Sequence, residues 1–124
     1  MEPALVWKTA TVLLALGALG GLVMAGMRFA GQPHPPAWLA MLHGSVAAAA
    51  LTLLIYAAAT VGLPALALGA LILFLIAGAG GAVLNLRYHW KMLALPKWLI
   101  VVHAGVAVLG FALLVIAAWA ASGA

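Results

Sequence analysis

Residues 36–43 read PAWLAMLH and residues 96–103 read PKWLIVVH, so one pattern of proline, tryptophan-leucine and histidine occurs twice at a spacing of sixty residues. The same shift superimposes two pairs of glycines, Gly20-Gly21 and Gly80-Gly81. Alanine-rich segments match by chance, but proline, tryptophan, histidine and a glycine pair at one shift do not. The sequence therefore contains an internal repeat.

The repeat lies in a chain of 124 residues, of which 69% are hydrophobic and 5% are charged. Soluble domains are roughly one quarter charged, so a soluble enzyme is excluded. The one acidic residue, Glu2, cannot supply the paired carboxylates or catalytic triads of hydrolases and transferases. The chain has no cysteine for thiolate chemistry or disulfides. Five basic residues form no phosphate-binding stripe, so nucleic acid is not an expected partner.

Four apolar stretches, separated by polar or proline-containing breaks, predict an all-α bundle of four transmembrane helices. The stretches cover about 4–27, 37–60, 65–86 and 98–121. Each half of the chain contains two spans, so both halves enter the membrane from the same side. We therefore predict a single membrane domain, residues 1–124, built from two parallel two-helix repeats at about 4–62 and 63–124. A pseudo-two-fold axis along the membrane normal would relate them.

Charged and aromatic residues predict the orientation of the bundle. Four cations lie at the end formed by the first and third loops, and Lys8 alone lies near the other end; the four are Arg28, Arg87, Lys91 and Lys97. The positive-inside rule predicts cytoplasmic loops and outside termini, in a bacterial inner membrane. Aromatic belts are expected at both interfaces, with Trp38, Trp90 and Trp98 at the loop end and Trp7 and Trp119 at the other.

His43 and His103 each follow the repeated proline by seven residues, which places both imidazoles roughly 10 Å beyond the start of a helix. Ionisable side chains at that depth in hydrocarbon are expensive and usually functional. Two neutral imidazoles at matched depth on two helices can provide both axial ligands of one haem iron. The sequence thus predicts a haem between His43 and His103, near the cytoplasmic side.

Small and basic residues near the histidines fit a flat macrocycle. Ala47 and Ala107 lie one turn beyond the histidines, and Ala50 and Gly110 continue the same faces, so space for a tetrapyrrole is expected there. The glycine pairs lie at similar depth and permit close approach by a helix or a ring edge. Four cations could pair with propionates on the same side, namely Arg28, Arg87, Lys91 and Lys97.

Other interpretations of these residues stay open. Buried histidines can hydrogen-bond across a helix interface, and Gly17-x-x-x-Gly21 is also a packing seam, so the chain could be a non-catalytic structural or assembly subunit. Thioethers near His43 suit copper or another metal without a porphyrin, in a site that would use Met24, Met27 and Met41. The loop residues His34 and His89 are either ordinary polar residues or a second metal or haem site.

The layout carried by His43, His103 and the two glycine pairs resembles that of four-helix membrane b-type cytochromes, cytochrome b561-like proteins included. The resemblance implies haem b, bis-histidine ligation and electron exchange with a quinone or a partner redox protein. Separately from the resemblance, the chain could form a homo-oligomer or belong to a larger redox complex. Those cytochromes commonly hold two haems, one near each membrane face. The half of the predicted bundle away from the first and third loops contains no histidine, so one haem is expected, and a second would need His34 or His89.

Overall fold

A computed structural model describes residues 2–120, which form four long helices joined by short loops. The helices are α1 (Pro3–Phe29), α2 (Ala37–Thr60), α3 (Ala65–Val83) and α4 (Lys97–Ala120), and a π-helical segment, Leu84–His89, continues α3. Each of the four helices is long and apolar enough to span a membrane. The predicted all-α, four-helix, multi-pass architecture is therefore confirmed at this level.

Prolines and glycines set the ends of the helices. Pro3 lies in the first turn of α1, and Pro36 and Pro64 immediately precede α2 and α3. Proline is tolerated at these positions because the first turn needs no backbone N–H donor. At the other end of α1, Gly31 adopts a φ of +112°, and the Gln32 N–H donates to the Met27 carbonyl. This is a Schellman ending, which favours glycine because the backbone is left-handed there.

The helices pack as two hairpins in contact with each other. α1 packs along α2, and α3 packs along α4, while smaller interfaces join α1 to α4 and α2 to α3. α2 and α4 therefore lie diagonally across the bundle. At the loop end, the Arg28 Nε–H donates to the Leu95 carbonyl at 2.9 Å, and the Leu95 N–H donates to the Pro33 carbonyl at 3.0 Å. These bonds join the first loop to the third.

The buried apolar core occupies the half of the bundle opposite the first and third loops. Its members come from the start of α1, the end of α2, the start of α3 and the end of α4; they are Val6, Trp7, Ala10, Ala50, Leu54, Ala57, Ala67, Ala70, Leu71, Phe74, Leu114, Ala117 and Ala118. The two largest fully buried side chains, Leu54 and Leu114, are sixty residues apart. The loop-end half of each helix contributes nothing to this cluster of described residues.

The tryptophans correct one part of the predicted aromatic belts. Trp38, Trp90 and Trp98 are 66–68% exposed at the loop end, and Trp119 is 53% exposed. Trp7 is only 8% exposed and belongs to the core cluster, so its indole packs between the helices and does not form the aromatic belt predicted at that end. The reason is packing: the surrounding cluster is rich in alanine, which leaves room for an indole between the helices.

The end of α3 contains one residue more than the end of α1. The Trp90 N–H donates to the Asn85 carbonyl at 2.8 Å, a π-helical bond that takes up an extra residue. The hydrogen bond that ends the π-helical segment then joins the Leu93 N–H to the Tyr88 carbonyl. The bond that ends α1 joins Gln32 to Met27, so the bond in the second half lies one position later than the sixty-residue shift predicts. The third loop is correspondingly one residue shorter before Pro96, so the two halves return to register.

Candidate functional site

The histidines of α2 and α4 are held in the same way by the helix that precedes each of them in the chain. Nδ1 of His43 on α2 donates to the Gly17 carbonyl on α1 at 2.7 Å. Nδ1 of His103 on α4 donates to the Ala77 carbonyl on α3, also at 2.7 Å. In both cases donor and acceptor are 26 residues apart. The hydrogen bonds fix the orientation of both rings.

The glycine pairs make those carbonyls accessible. Helical side chains lean toward the N-terminus, so the residues three and four positions later cover the carbonyl of a given residue. For the Gly17 carbonyl these residues are Gly20 and Gly21. A Cβ atom added to Gly21 would lie 3.0 Å from Cε1 of His43, which is closer than side-chain carbons normally approach. The glycines thus accommodate the imidazole itself, a role that the sequence analysis did not assign to them.

The second half contains the same close approach. The Ala77 carbonyl lies below Gly80 and Gly81, and a Cβ atom added to Gly81 would lie 3.1 Å from Cε1 of His103. Gly80 has more room, since its added Cβ atom would lie 3.7 Å from Nδ1 of His103. Within each pair, the second glycine is therefore the one that the imidazole requires.

The carbonyl partners determine the tautomer of both imidazoles. A backbone carbonyl only accepts hydrogen bonds, so each Nδ1 must carry the proton. In the neutral imidazole, Nε2 then presents its lone pair. Within residues 2–120, neither Nε2 atom has a hydrogen-bond partner. This tautomer, with Nδ1–H bound to an acceptor and Nε2 free, is the form in which histidine ligates metals.

The two imidazoles lie close together between α2 and α4. The ring centres of His43 and His103 are 6.3 Å apart, and the ring planes make an angle of 74°. Imidazoles that ligate one metal from opposite sides have ring centres about 6 Å apart, given a nitrogen–metal bond of about 2 Å and roughly 1 Å from nitrogen to ring centre. The spacing of the rings therefore suits two ligands of one central ion.

The small residues on the histidine faces have different surroundings. Ala47 and Ala107 are half-buried, one turn from the histidines. Ala50 and Gly110 are buried, and a Cβ atom added to Gly110 would lie 3.4 Å from the ring of Phe74. Phe74 thus fills the space that the sequence analysis reserved for a tetrapyrrole at Gly110, and that expectation was wrong. In the loop-end half, a cavity of about 360 Å³ is lined by His43, Gly17 and Gly20, and His103 does not border it.

The basic residues at the loop end have different roles. Arg28 is partly occupied by its hydrogen bond to the Leu95 carbonyl, and the Lys97 ammonium lies 5.5 Å from the ring centre of Phe29. Arg87 and Lys91 are exposed. The acid Glu2 lies at the opposite end of α1, so no carboxylate among the described residues neutralises these four cations. They remain available to an anionic group.

The loop histidines are close together but differ in their hydrogen bonds. Their ring centres are 5.4 Å apart. His89 is buried, its Nε2–H donates to the Pro35 carbonyl at 2.8 Å, and its Nδ1 lies 3.3 Å from the Asn85 side-chain amide. Both ring nitrogens of His89 are therefore engaged. His34 makes no hydrogen bond within the described residues.

Met41, which is two residues from His43 in the sequence, lines a different cavity. Met41 is 64% exposed and lines a cavity with His34 and His89 rather than with His43. Among residues 2–120, no three His, Cys, Asp or Glu side chains form a metal-binding group. A metal at His43 and His103 would thus need further donors from a cofactor, such as the four nitrogens of a porphyrin.

The residues that sequence reasoning missed are the carbonyl acceptors at Gly17 and Ala77. The available signal was the glycine pair three and four residues after each of them, because that spacing uncovers a helix carbonyl. Comparison with known proteins adds no further assignment: no protein family, no curated protein and no solved structure matches this chain.

Proposed function

We propose that this chain is a membrane b-type cytochrome that binds one haem b between His43 and His103 and exchanges electrons with a quinone or a partner redox protein. The observation that carries the proposal is the fixed pair of imidazoles, each with Nδ1 bound to a carbonyl and Nε2 free, at a ring spacing of 6.3 Å. Haem supplies one-electron chemistry when bound.

The residues around the histidines fit such a group in two further respects. The core cluster fills the half of the bundle away from the loops, so the histidine layer lies above the densely packed region. Arg87 and Lys91 are exposed at the loop end, where their charges suit two carboxylates. No histidine occurs in the opposite half, so electron exchange at the loop-side face is favoured over transfer across the whole membrane.

The protein side chains have a defined task in this proposal. The hydrogen bonds from Nδ1 to the carbonyls of Gly17 and Ala77 hold the rings in place and increase the basicity of Nε2. Stronger donation by Nε2 stabilises the more positive oxidation state of a ligated iron.

The arrangement of the two halves belongs to the same proposal. We infer that residues 4–62 and 63–124 are related by a pseudo-two-fold axis along the membrane normal, with the loops on the cytoplasmic side of a bacterial inner membrane. Support comes from the pairs of equivalent bonds sixty residues apart, in which His43 and Gly17 correspond to His103 and Ala77. Such an axis gives both imidazoles the same depth.

The direct test is the visible spectrum of the full chain, expressed with haem supply and purified in mild detergent. We expect a Soret band, a sharp α-band on reduction and about one haem per chain in a pyridine haemochrome assay. His43→Ala and His103→Ala should each abolish the six-coordinate spectrum, whereas His34→Ala should leave it unchanged. A colourless wild-type chain that is folded by circular dichroism would reject the proposal and favour a structural subunit.

The angle between the imidazole planes gives a second spectroscopic test. Axial imidazoles that are nearly perpendicular leave the two iron orbitals of π symmetry nearly equal in energy, so the low-spin ferric signal becomes strongly anisotropic. Because the planes make an angle of 74°, we expect that kind of electron paramagnetic resonance spectrum. A rhombic spectrum typical of parallel imidazoles would contradict the ligand geometry while leaving haem binding intact.

A further inference from the structure

A cavity of about 470 Å³ lies at the loop end, where the first and third loops meet the start of α2. The side chains that line it include two imidazoles and two thioethers, from His34, His89, Met41 and Met92. Neither His43 nor His103 borders it. The cavity is therefore separate from the proposed haem site, and an inference about it does not depend on haem.

Three of these side chains have free donor atoms. His34 makes no hydrogen bond within residues 2–120, so its ring nitrogens are available. Met41 and Met92 are 64% and 70% exposed, and both residues line the same cavity. His89 differs because the Pro35 carbonyl and the Asn85 amide engage its nitrogens. It forms the wall against which the His34 ring packs edge-on.

The backbone at Met92 is unusual for a residue with a side chain. The Leu93 N–H donates to the Tyr88 carbonyl, and the Met92 N–H donates to the His89 carbonyl. This is a Schellman ending with Met92 at the left-handed position, where its φ is +56°. The corresponding ending of α1 uses Gly31. A left-handed backbone costs about 1–2 kcal/mol for a residue with a Cβ atom. The chain thus keeps a methionine where glycine would be more stable.

The donor set identifies the class of ligand. The acid Glu2 lies at the far end of α1, and no group of three His, Cys, Asp or Glu side chains occurs among the described residues, so hard divalent cations and zinc lack their usual ligands. Neutral thioethers and imidazole prefer a soft ion, Cu(I). Trp90 lines the same cavity, and an indole face attracts cations. Lys91 precedes Met92 in the chain, and its positive charge repels a monovalent ion less than a divalent ion.

We propose that His34, Met41 and Met92 form a binding site for Cu(I) at the loop-side surface of the bundle. The site differs from a copper site built around His43, because Met24 and Met27 do not line the cavity. The three residues come from the first loop, from α2 and from the turn that follows the π-helical segment. Binding would therefore link both halves of the chain at their loop end.

The test is a titration of the full-length chain in detergent with Cu(I), kept reduced by ascorbate, against a chromophoric Cu(I) chelator. We expect one Cu(I) per chain. The decisive variant is Met92→Gly, which removes the thioether and also relieves the left-handed backbone, so it should fold at least as stably as the parent. Its affinity for Cu(I) should fall at least about tenfold, since even outer-shell partners contribute about 10–100-fold to metal affinity.

Two controls make the result specific. Met27→Leu changes a methionine at the same end of the bundle that does not border the cavity, and it should retain the parent affinity. The double variant His43→Ala/His103→Ala should also retain Cu(I), which separates this site from haem binding. The proposal is overturned if the parent takes no Cu(I) from the chelator, if Met92→Gly binds like the parent, or if Met27→Leu weakens binding equally.

Discussion

Gly21 and Gly81 determine how closely His43 and His103 approach the neighbouring helices. Each imidazole occupies the space that the Cβ atom of a non-glycine residue would fill at position 21 or 81. Because that atom is absent, the imidazole reaches the backbone carbonyl of Gly17 or Ala77. Without a Cβ atom, glycine adds conformational freedom to the unfolded chain and weakens a helix by about 0.5–1 kcal/mol relative to alanine. The imidazole contacts offset that loss only at the second glycine of each pair.

Replacing Gly21 by alanine should therefore destabilise the bundle. The helix would gain about 0.5–1 kcal/mol. The added methyl group would displace the His43 ring and break a hydrogen bond worth about 1 kcal/mol, with a steric penalty in addition. We expect a lower midpoint of thermal unfolding in detergent, followed by circular dichroism.

Gly20→Ala is the matched control for this substitution. Its added Cβ atom would lie 3.9 Å from Cβ of His43, an ordinary contact, so the helix gain should remain and the midpoint should rise or stay constant. If Gly21→Ala proves as stable as Gly20→Ala, the imidazole does not depend on the second glycine.

The π-helical segment Leu84–His89 is the element whose geometry departs from the repeat. Its extra residue changes which side chain lies inside: His89 is buried, while Phe29, its partner at the sixty-residue shift, is exposed. Insertions of this kind are frequent near functional sites. Here the segment adjoins the cavity that we assign to Cu(I).

Deleting Leu86, an exposed residue within the segment, should convert the π-helical turn to a regular α-helical turn. Residues before and after the deletion can then keep their positions, so we expect a folded protein with an unfolding midpoint close to that of the parent. Thermal unfolding in detergent measures this.

Deleting the equally exposed Ile76 is the control, because α3 is regular there and has no extra residue to lose. That deletion should rotate the Ala77 carbonyl away from His103 and lower the midpoint strongly. Equal effects of the two deletions would show that the π-helical segment is not a removable insertion.

At the scale of the whole molecule, the buried apolar core and the histidine layer lie at different ends of the bundle. Leu54 and Leu114 lie in the core at the end away from the loops, are both fully buried and are sixty residues apart. The histidine layer lies nearer the loops. Changes in the core should thus affect stability and leave the ligand geometry of the histidines intact.

Leu54→Ala and Leu114→Ala should each lower the free energy of unfolding by about 2 kcal/mol. This value is the lower end of the range of destabilisation measured for buried Leu→Ala substitutions. It is low because lipid is as apolar as the core, so the substitution removes packing contacts but no hydrophobic transfer energy. Denaturation in mixed micelles measures the loss. Leu109→Ala, at a site 54% exposed, is the control and should have little effect. A small effect at all three positions would contradict a tightly packed core.

The orientation in the membrane can be measured directly, because the natural chain has no cysteine. Gln32→Cys lies in the first loop and Val61→Cys in the second, and both positions are exposed. The four cations at the loop end predict that a membrane-impermeant maleimide labels Val61→Cys in intact cells and Gln32→Cys only after permeabilisation. The reverse pattern would place the loops and the proposed sites on the outer side.

The sequence alone predicted the four helices, their approximate ends and the pairing of His43 with His103. These features depend on local properties, namely apolar length, proline breaks and spacing along a helix, which composition and order fix without reference to neighbours. The equal depth predicted for both histidines rests on the same local arithmetic. The proposed haem and Cu(I) remain predictions that the spectra and titrations above will test.

Tertiary structure decided what depends on the rotation and contact of whole helices. The burial of Trp7, the filling of Gly110 by Phe74 and the carbonyl partners of the histidines all arise from the way one helix surface meets another. A sequence in which almost every face is apolar gives little information about rotation, because lipid and protein neighbours are chemically alike. Only close packing distinguishes them, and close packing exists only in the assembled bundle.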